Sequence, residues 1–266
     1  VTIWDQDYPI FETIILDNKS TDNSLEVIDR LSKKYKRTIR LFVNEENSGT
    51  PFAQWKKGVE KARGEFVWIA EADDLSKPSF LSELLPFLET PEVGMAYAQS
   101  EQIDEKGNFL APDYLYYTDE LDRKKWRQDY IQDGIKEIEE ALSIKNTILN
   151  VSAVLWRKDR LADILFKEYE NIRSFKVAGD WYLYIKFLKN SKISFLAQPL
   201  NIHRRHVKSA THELEENTHV QEIKQMHKVI RQNIPNSKTL IKTQGEYSND
   251  IWKHLKNMKK NHNEKT

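Results

Sequence analysis

Gly64-Glu65-Phe66-Val67-Trp68-Ile69-Ala70-Glu71-Ala72-Asp73-Asp74 is the stretch on which the reading of this sequence turns. Phe66 to Ala70 is an apolar run of strand length, opened by Gly64 and closed by acids, and it predicts a buried strand. Its following carboxylates then emerge at the carboxyl end of the strand, where open α/β sheets bind their ligands. Adjacent carboxylates suit a hard divalent cation, whose remaining positions a diphosphate can fill, so Asp73 and Asp74 are candidates for a metal–diphosphate site. The same tetrapeptide would also serve to cap a helix opened by Pro78 or simply face solvent.

Working outward, strands and helices alternate. Thr13 to Leu16 reads as a buried strand that stops at Asp17-Asn18-Lys19-Ser20. Asp22 or Asn23 caps a helix with Leu25, Ile28 and Leu31 on one face. Ile39 to Val43 is the next strand, and Phe52 to Lys61 the next helix. Pro78 opens a helix through Phe80, Leu84, Leu85 and Leu88, followed by a strand over Gly94 to Ala98. This order predicts an α/β fold with parallel strands and crossover helices. Residues 101–135 show weak periodicity and read as a variable insertion with substrate-specific contacts. Val151 to Leu155 and Lys192 to Leu196 are further strands, with a helix over Asp180 to Leu188 between them. Trp55 and Trp68 read as core residues.

From about Glu213 the chain becomes charged helical sequence. Val220, Ile223, Met226 and Ile230 form one apolar stripe, and Ile251, Trp252 and Leu255 another. These helices pack on the domain, or, with Lys253, Lys256, Lys259 and Lys260, form a docking surface for a membrane or partner.

Composition narrows the function classes. Lys+Arg and Asp+Glu both total 41, so no net field marks a nucleic-acid partner. With no cysteine there is no thiolate metal site or cysteine nucleophile. No apolar stretch approaches the roughly 20 residues of a membrane-spanning helix, and the first residues do not read as a signal peptide. A cytoplasmic location is expected, with the inner face of a membrane as a second setting. Asn47-Ser48-Gly49-Thr50-Pro51 lets backbone approach a ligand before a helix, but it has the spacing of neither a P-loop nor a dinucleotide fingerprint. Asp17 ends its strand at the same sheet edge as the acids, placed either to accept from a nucleobase or to close an Asx turn.

Taken in order, FETIILDNKSTDNS, NEENSGTPFAQWKKGVEKARGEFVWIAEADD, AGDWYLYIKFL and PLNIHRRHVKSATH resemble the GT-A domain of glycosyltransferase family 2, over about residues 8–212. The resemblance implies a Rossmann-like, mixed and mainly parallel sheet flanked by helices. Residues 1–100 would form the nucleotide-binding half and 101–212 the acceptor half, with 213–266 a helical extension. It implies transfer of a sugar from a nucleoside-diphosphate donor to a hydroxyl of a glycan or lipid-linked acceptor, inverting and dependent on Mn2+ or Mg2+, in polysaccharide or glycoconjugate synthesis. In the family pattern Asp17, Asn18 and Asp73 stand at donor-nucleotide positions, with Asn18 in place of a second acid. Asp74 and His206 stand as metal ligands, Arg204 and Arg205 as diphosphate contacts, and Glu71 behind the acids. Asp180 stands as the base that deprotonates the acceptor, or serves only as a helix N-cap. Relatives often carry Glu before that Asp, where this chain has Gly179. Trp181 would stack on a sugar or wedge its helix, and His203 is structural. The family's first strand has no counterpart after Val1, which implies a preceding segment or a reorganised sheet with exposed edges. A non-catalytic nucleotide-sugar or glycan-binding module, and a nucleotidyltransferase, are the competing readings.

Overall fold

Residues 13–43 form a β-α-β unit in which β1 (Thr13–Asp17) and β2 (Ile39–Val43) pair in parallel, from Thr13 opposite Ile39 to Asp17 opposite Val43. The connecting helix α1 (Ser24–Lys34) contains no buried residue, and Leu25, Leu41 and Val43 are exposed. The computed structural model describes residues 2–36, 38–206, 216–234, 243–251 and 253. Next comes α2 (Pro51–Lys61), which starts where Pro51 occupies an early helical position and the Thr50 hydroxyl accepts from the Phe52 N–H. This helix buries Phe52, Trp55 and Val59 in the main core, as expected for Trp55.

The other strands form one sheet. They are β3 (Phe66–Trp68), β4 (Leu75–Ser76), β5 (Val93–Ile103), β6 (Phe109–Ala111), β7 (Tyr130–Asp133), β8 (Val154–Arg157) and β9 (Lys192–Arg204). Their order is β3-β8-β5-β9-β4, with β6 on β5 and β7 on β9. Along β5, Met95 and Tyr97 enter one core cluster while Ala96 and Ala98 enter the other. Cover on both faces makes a central strand read as a continuous apolar run. On one face α3 (Phe80–Leu88) inserts the fully buried Phe80, Leu84 and Leu88. Short helices α4 (Leu115–Thr118) and α5 (Gly134–Glu137) follow in the chain. Then come α6 (Lys158–Lys167), α7 (Tyr169–Ile172), α8 (Gly179–Leu188) and α9 (Glu216–Asn233). Helices α2, α6, α8 and α9 contribute to the larger cluster on the other face.

The expected α/β class, with helices flanking a mixed sheet, is what the chain forms. Among the described residues, β1–β2 and β5–β9 pair in parallel and the other five pairings are antiparallel. β3 bonds to β8 and not to β1 or β2, so helix alternation in the first 70 residues does not carry strand direction into the larger sheet. Several boundaries also differ. β5 continues to Ile103, and 101–135 holds β6, α4 and β7, whose short exposed segments leave little periodicity to read. The segment read as a strand from Val151 begins with a helical turn, Val151–Ala153, before β8. β9 runs past Pro199 to Arg204, because register irregularities beside β5 residues Ala98 to Ser100 accommodate the proline.

Val220, Ile223, Met226 and Ile230 of α9 are buried, so this stripe faces the core. Ile251 packs partly against the same cluster. Trp252, Leu255, Lys256, Lys259 and Lys260 lie outside the described residues. No helix among the described residues is long and apolar enough to cross a membrane.

Candidate active site

The acids after β3 occupy distinct positions. Asp74 is held by three donors: its Oδ2 accepts from the Asn150 side-chain amide at 2.8 Å and the Ser152 hydroxyl at 2.7 Å, and its Oδ1 from the Arg204 N–H at 2.9 Å. Ser152 Oγ also accepts from the Glu71 N–H at 3.0 Å, and the Trp68 indole donates to the Ser152 carbonyl at 2.8 Å. The end of β3 is thereby tied to the start of β8. Glu71 turns inward, accepts from the Trp55 indole at 2.7 Å, and has its pKa raised by burial. Asp73 points outward, with His206 Nε2 2.8 Å from its Oδ2 and Glu105 3.9 Å from His206 Nδ1.

Sequence reasoning paired Asp74 with His206 as metal ligands. In the structure His206 meets Asp73 instead, and Asp74 is engaged by protein donors. Among the described residues no group of three or more His, Asp or Glu forms a closed metal cage. An exposed carboxylate beside an imidazole nevertheless fits a cation that takes most of its oxygens from a bound diphosphate and water. The Arg204 guanidinium donates to the carbonyls of Asp73 (2.9 Å) and Asp104 (3.0 Å), so it braces the acidic turn. Arg205 reaches the Tyr114 hydroxyl at 3.3 Å, and His203 Nδ1 lies 2.6 Å from that same oxygen.

On the other side, Asp17 is buried and its Oδ1 accepts from the Ser20 N–H at 3.0 Å, the Asx-type turn that was one of its two readings. Asn18 accepts from the Ser48 N–H at 2.8 Å and the Asn44 side chain at 2.8 Å, and donates to Asn47 at 3.1 Å. An amide that both donates and accepts makes this network, which a second carboxylate at 18 would not. Gly49, at φ 71°, takes the left-handed turn this loop requires.

Asp180 lies in the first turn of α8, and its Oδ1 accepts from the Trp181 N–H and its Oδ2 from the Asn146 side chain at 3.0 Å. The residue is partly buried, and this burial pushes the carboxyl pKa up to about 7. Asn146, on Asp180, and Asn150, on Asp74, are four positions apart in the chain. Their Cα atoms are therefore at most about 14 Å apart. One short segment thus contacts both the acid at the end of β3 and the acid at the start of α8. Trp181 is buried, donates to the Leu142 carbonyl at 2.9 Å, and wedges its helix.

Gly179 explains why no acid precedes Asp180. A Cβ there would overlap the Phe52 ring and lie 2.7 Å from the Ile172 carbonyl oxygen. Gly179→Ala is expected to destabilise the domain by about 1–3 kcal/mol, as overpacking of a filled site does. Thermal unfolding checks this; a wild-type midpoint for Gly179→Ala would show that Phe52 can give way.

Asn146, Asn150 and Ser152 escaped the sequence reading. Their signal was faint: polar residues interrupting the apolar run Ile148-Leu149 and Val151 just before β8.

Residues 2–148 match Glycosyl transferase family 2, and the chain belongs to that family. Among curated relatives, glycosyltransferase GlyG of Streptococcus pneumoniae is 28% identical over 213 residues, covering 75% of this chain and 63% of GlyG. The chain spans about half the length of other curated relatives it matches. The fold is also that of Staphylococcus aureus TarS 1-349 in complex with UDP (TM-score 0.60, 17% identity, 92% of this chain and 64% of that one). A third likeness is the Pyrobaculum calidifontis mannosyltransferase PcManGT in complex with GDP-Man and Mn2+ (TM-score 0.57, 16% identity, 94% and 64%). These likenesses establish the GT-A architecture.

Proposed function

We propose that this chain transfers a sugar from a nucleoside-diphosphate donor to a hydroxyl of a glycan or lipid-linked acceptor, with inversion, in polysaccharide or glycoconjugate synthesis. The observation that carries the reading is the 146–150 segment, which contacts Asp180 and Asp74 together. Asp17, Asn18 and Asp73 form the donor-nucleotide side. Asp73 and His206 would hold a divalent cation, and Asp74 fixes the turn that presents them. When bound, the cation would offset charge on the departing diphosphate. Arg205, beside Tyr114, adds positive charge near the same turn.

Asp180 takes the acceptor proton. A base with its pKa near 7 is matched to a hydroxyl at neutral pH, and Asn146 holds one carboxylate oxygen while it acts.

Calorimetric titration with UDP, GDP and dTDP, with and without Mn2+, tests the donor half of this proposal. Binding of one of these nucleotides is expected, strengthened by Mn2+, with the metal effect lost in Asp73→Ala. Failure of a folded chain to bind any of them overturns it.

A further inference from the structure

Helix α9 reaches the head of α8 through Glu222. Glu222 is 7% exposed, and its carboxylate accepts three successive backbone N–H groups, from Lys176 at 2.7 Å and from Val177 and Ala178 at 3.0 Å. These residues lead directly into α8, two positions before Asp180. The residue at the N-cap of α8, Ala178, has no side chain with which to satisfy this helix end. Glu222 does so from 44 residues away, and its charge lies at the positive end of the α8 dipole.

C-terminal residues also hold the segment that carries Asn146. His227 Nε2 lies 2.8 Å from the Ile144 carbonyl, and the Gln244 side chain donates to the Ser143 carbonyl at 2.7 Å. That segment delivers Asn146 to Asp180. Both pieces of backbone that aim groups at the Asp180 carboxyl are therefore gripped from residues 222–244.

We infer that Glu222 is a positioning residue for Asp180, holding the 176–178 backbone so that the carboxylate at the head of α8 keeps its place beside Asn146. The inference rests on the reading of Asp180 as the base. Gly179 leaves no room for an acid next to Asp180 in the chain, and Glu222 supplies a nearby acid from α9 instead. Burial is the main cause that raises the Asp180 pKa, hydrogen bonds from the Trp181 N–H and Asn146 work against it, and the Glu222 charge adds the smallest upward push. Tyr184, on α8, is held well above the ordinary tyrosine range by burial and so stays neutral. His227 is lowered to about 4, again by burial, and is neutral across the range in which Asp180 titrates. Asn146 carries no charge.

Carbon-13 NMR of the side-chain carboxyls, with Asp180→Asn to assign the signal, tests this without donor or acceptor. In Glu222→Gln the Asp180 midpoint is expected to move to lower pH, because a negative neighbour is gone. Amide exchange at 176–178 is expected to quicken roughly tenfold. An unchanged Asp180 midpoint in folded Glu222→Gln overturns the inference, since a merely structural contact would not set it. If that variant fails to fold, Glu222→Asp retains the charge with a shorter reach. It should then quicken exchange at 176–178 at a wild-type midpoint, and unchanged exchange overturns the positioning role. These readouts are separate from catalysis: wild-type sugar transfer by Asp180→Asn would remove Asp180 as the base whatever its midpoint does.

Discussion

Asp180→Asn is expected to lower kcat for sugar transfer by about 10²- to 10⁴-fold, the range spanned by general acid–base groups, with donor affinity unchanged. Donor affinity is spared because the Asp180 bonds run to Asn146 and to its own helix, and none reaches the acidic turn after β3. The pH dependence gives a second reading. Burial raises the Asp180 pKa to about 7, so wild-type kcat should climb as pH rises through 7 and level off above it. Stability runs in the opposite direction. The folded-state pKa stands above the ordinary value, so ionising this buried group opposes folding, and the penalty grows from about pH 4 to pH 7. Asp180→Asn removes that penalty and should raise the melting temperature at pH 8 relative to wild type, with little difference at pH 4. A folded variant with wild-type kcat would end the assignment.

Asp74→Ala should be nearly as damaging for a different reason. The carboxylate accepts from Asn150, Ser152 and the Arg204 backbone, so its loss leaves three donors unpaired and unties β3, β8 and β9 at one point. A cost of about 1–3 kcal/mol in stability is expected from those unpaired groups. A fall of about 10²- to 10³-fold in kcat/KM is expected from the displaced turn, as when an electrostatic contact to the reacting group is lost. Asp73→Ala makes the contrast. Asp73 is about half exposed and, among the described residues, its side chain meets His206, so its loss should leave the melting temperature alone while altering the metal dependence of nucleotide binding. Equal melting temperatures and equal donor affinity for Asp74→Ala and wild type would show that the three bonds do not hold the site.

The parts of the site legible in the sequence were those whose chemistry sits at the end of a regular element. Asp73, Asp74 and Asp180 stand where an apolar strand stops or an apolar helix begins, and both signals are local. Asn150 and Ser152 reach Asp74 across 76 and 78 residues, and Glu222 reaches the head of α8 across more than 40, so no spacing rule could have paired them. Arg204 shows a different failure. A basic residue after Pro199 reads as part of a loop offering charge to phosphate, but the strand survives the proline and aims the guanidinium at backbone carbonyls. Strand direction was hidden for the same reason: β3 pairs with β8, nearly 90 residues away, and not with its neighbours in the chain.

The parallel pair β1–β2 has a thermodynamic consequence. It is a separate two-stranded sheet, its helix α1 has no fully buried residue, and among the described residues it is joined to the rest chiefly through α2 and the Gln6 bonds to Ser76, Lys77 and Leu81. Small sheets with little buried surface open more readily than the cores they adjoin. Asp17 and Asn18 lie at the end of β1, so a nucleotide held there would bind the closed form of this unit and not its opened form. The donor would then be a folding ligand for the first 45 residues, stabilising them by an amount set by its concentration relative to its Kd.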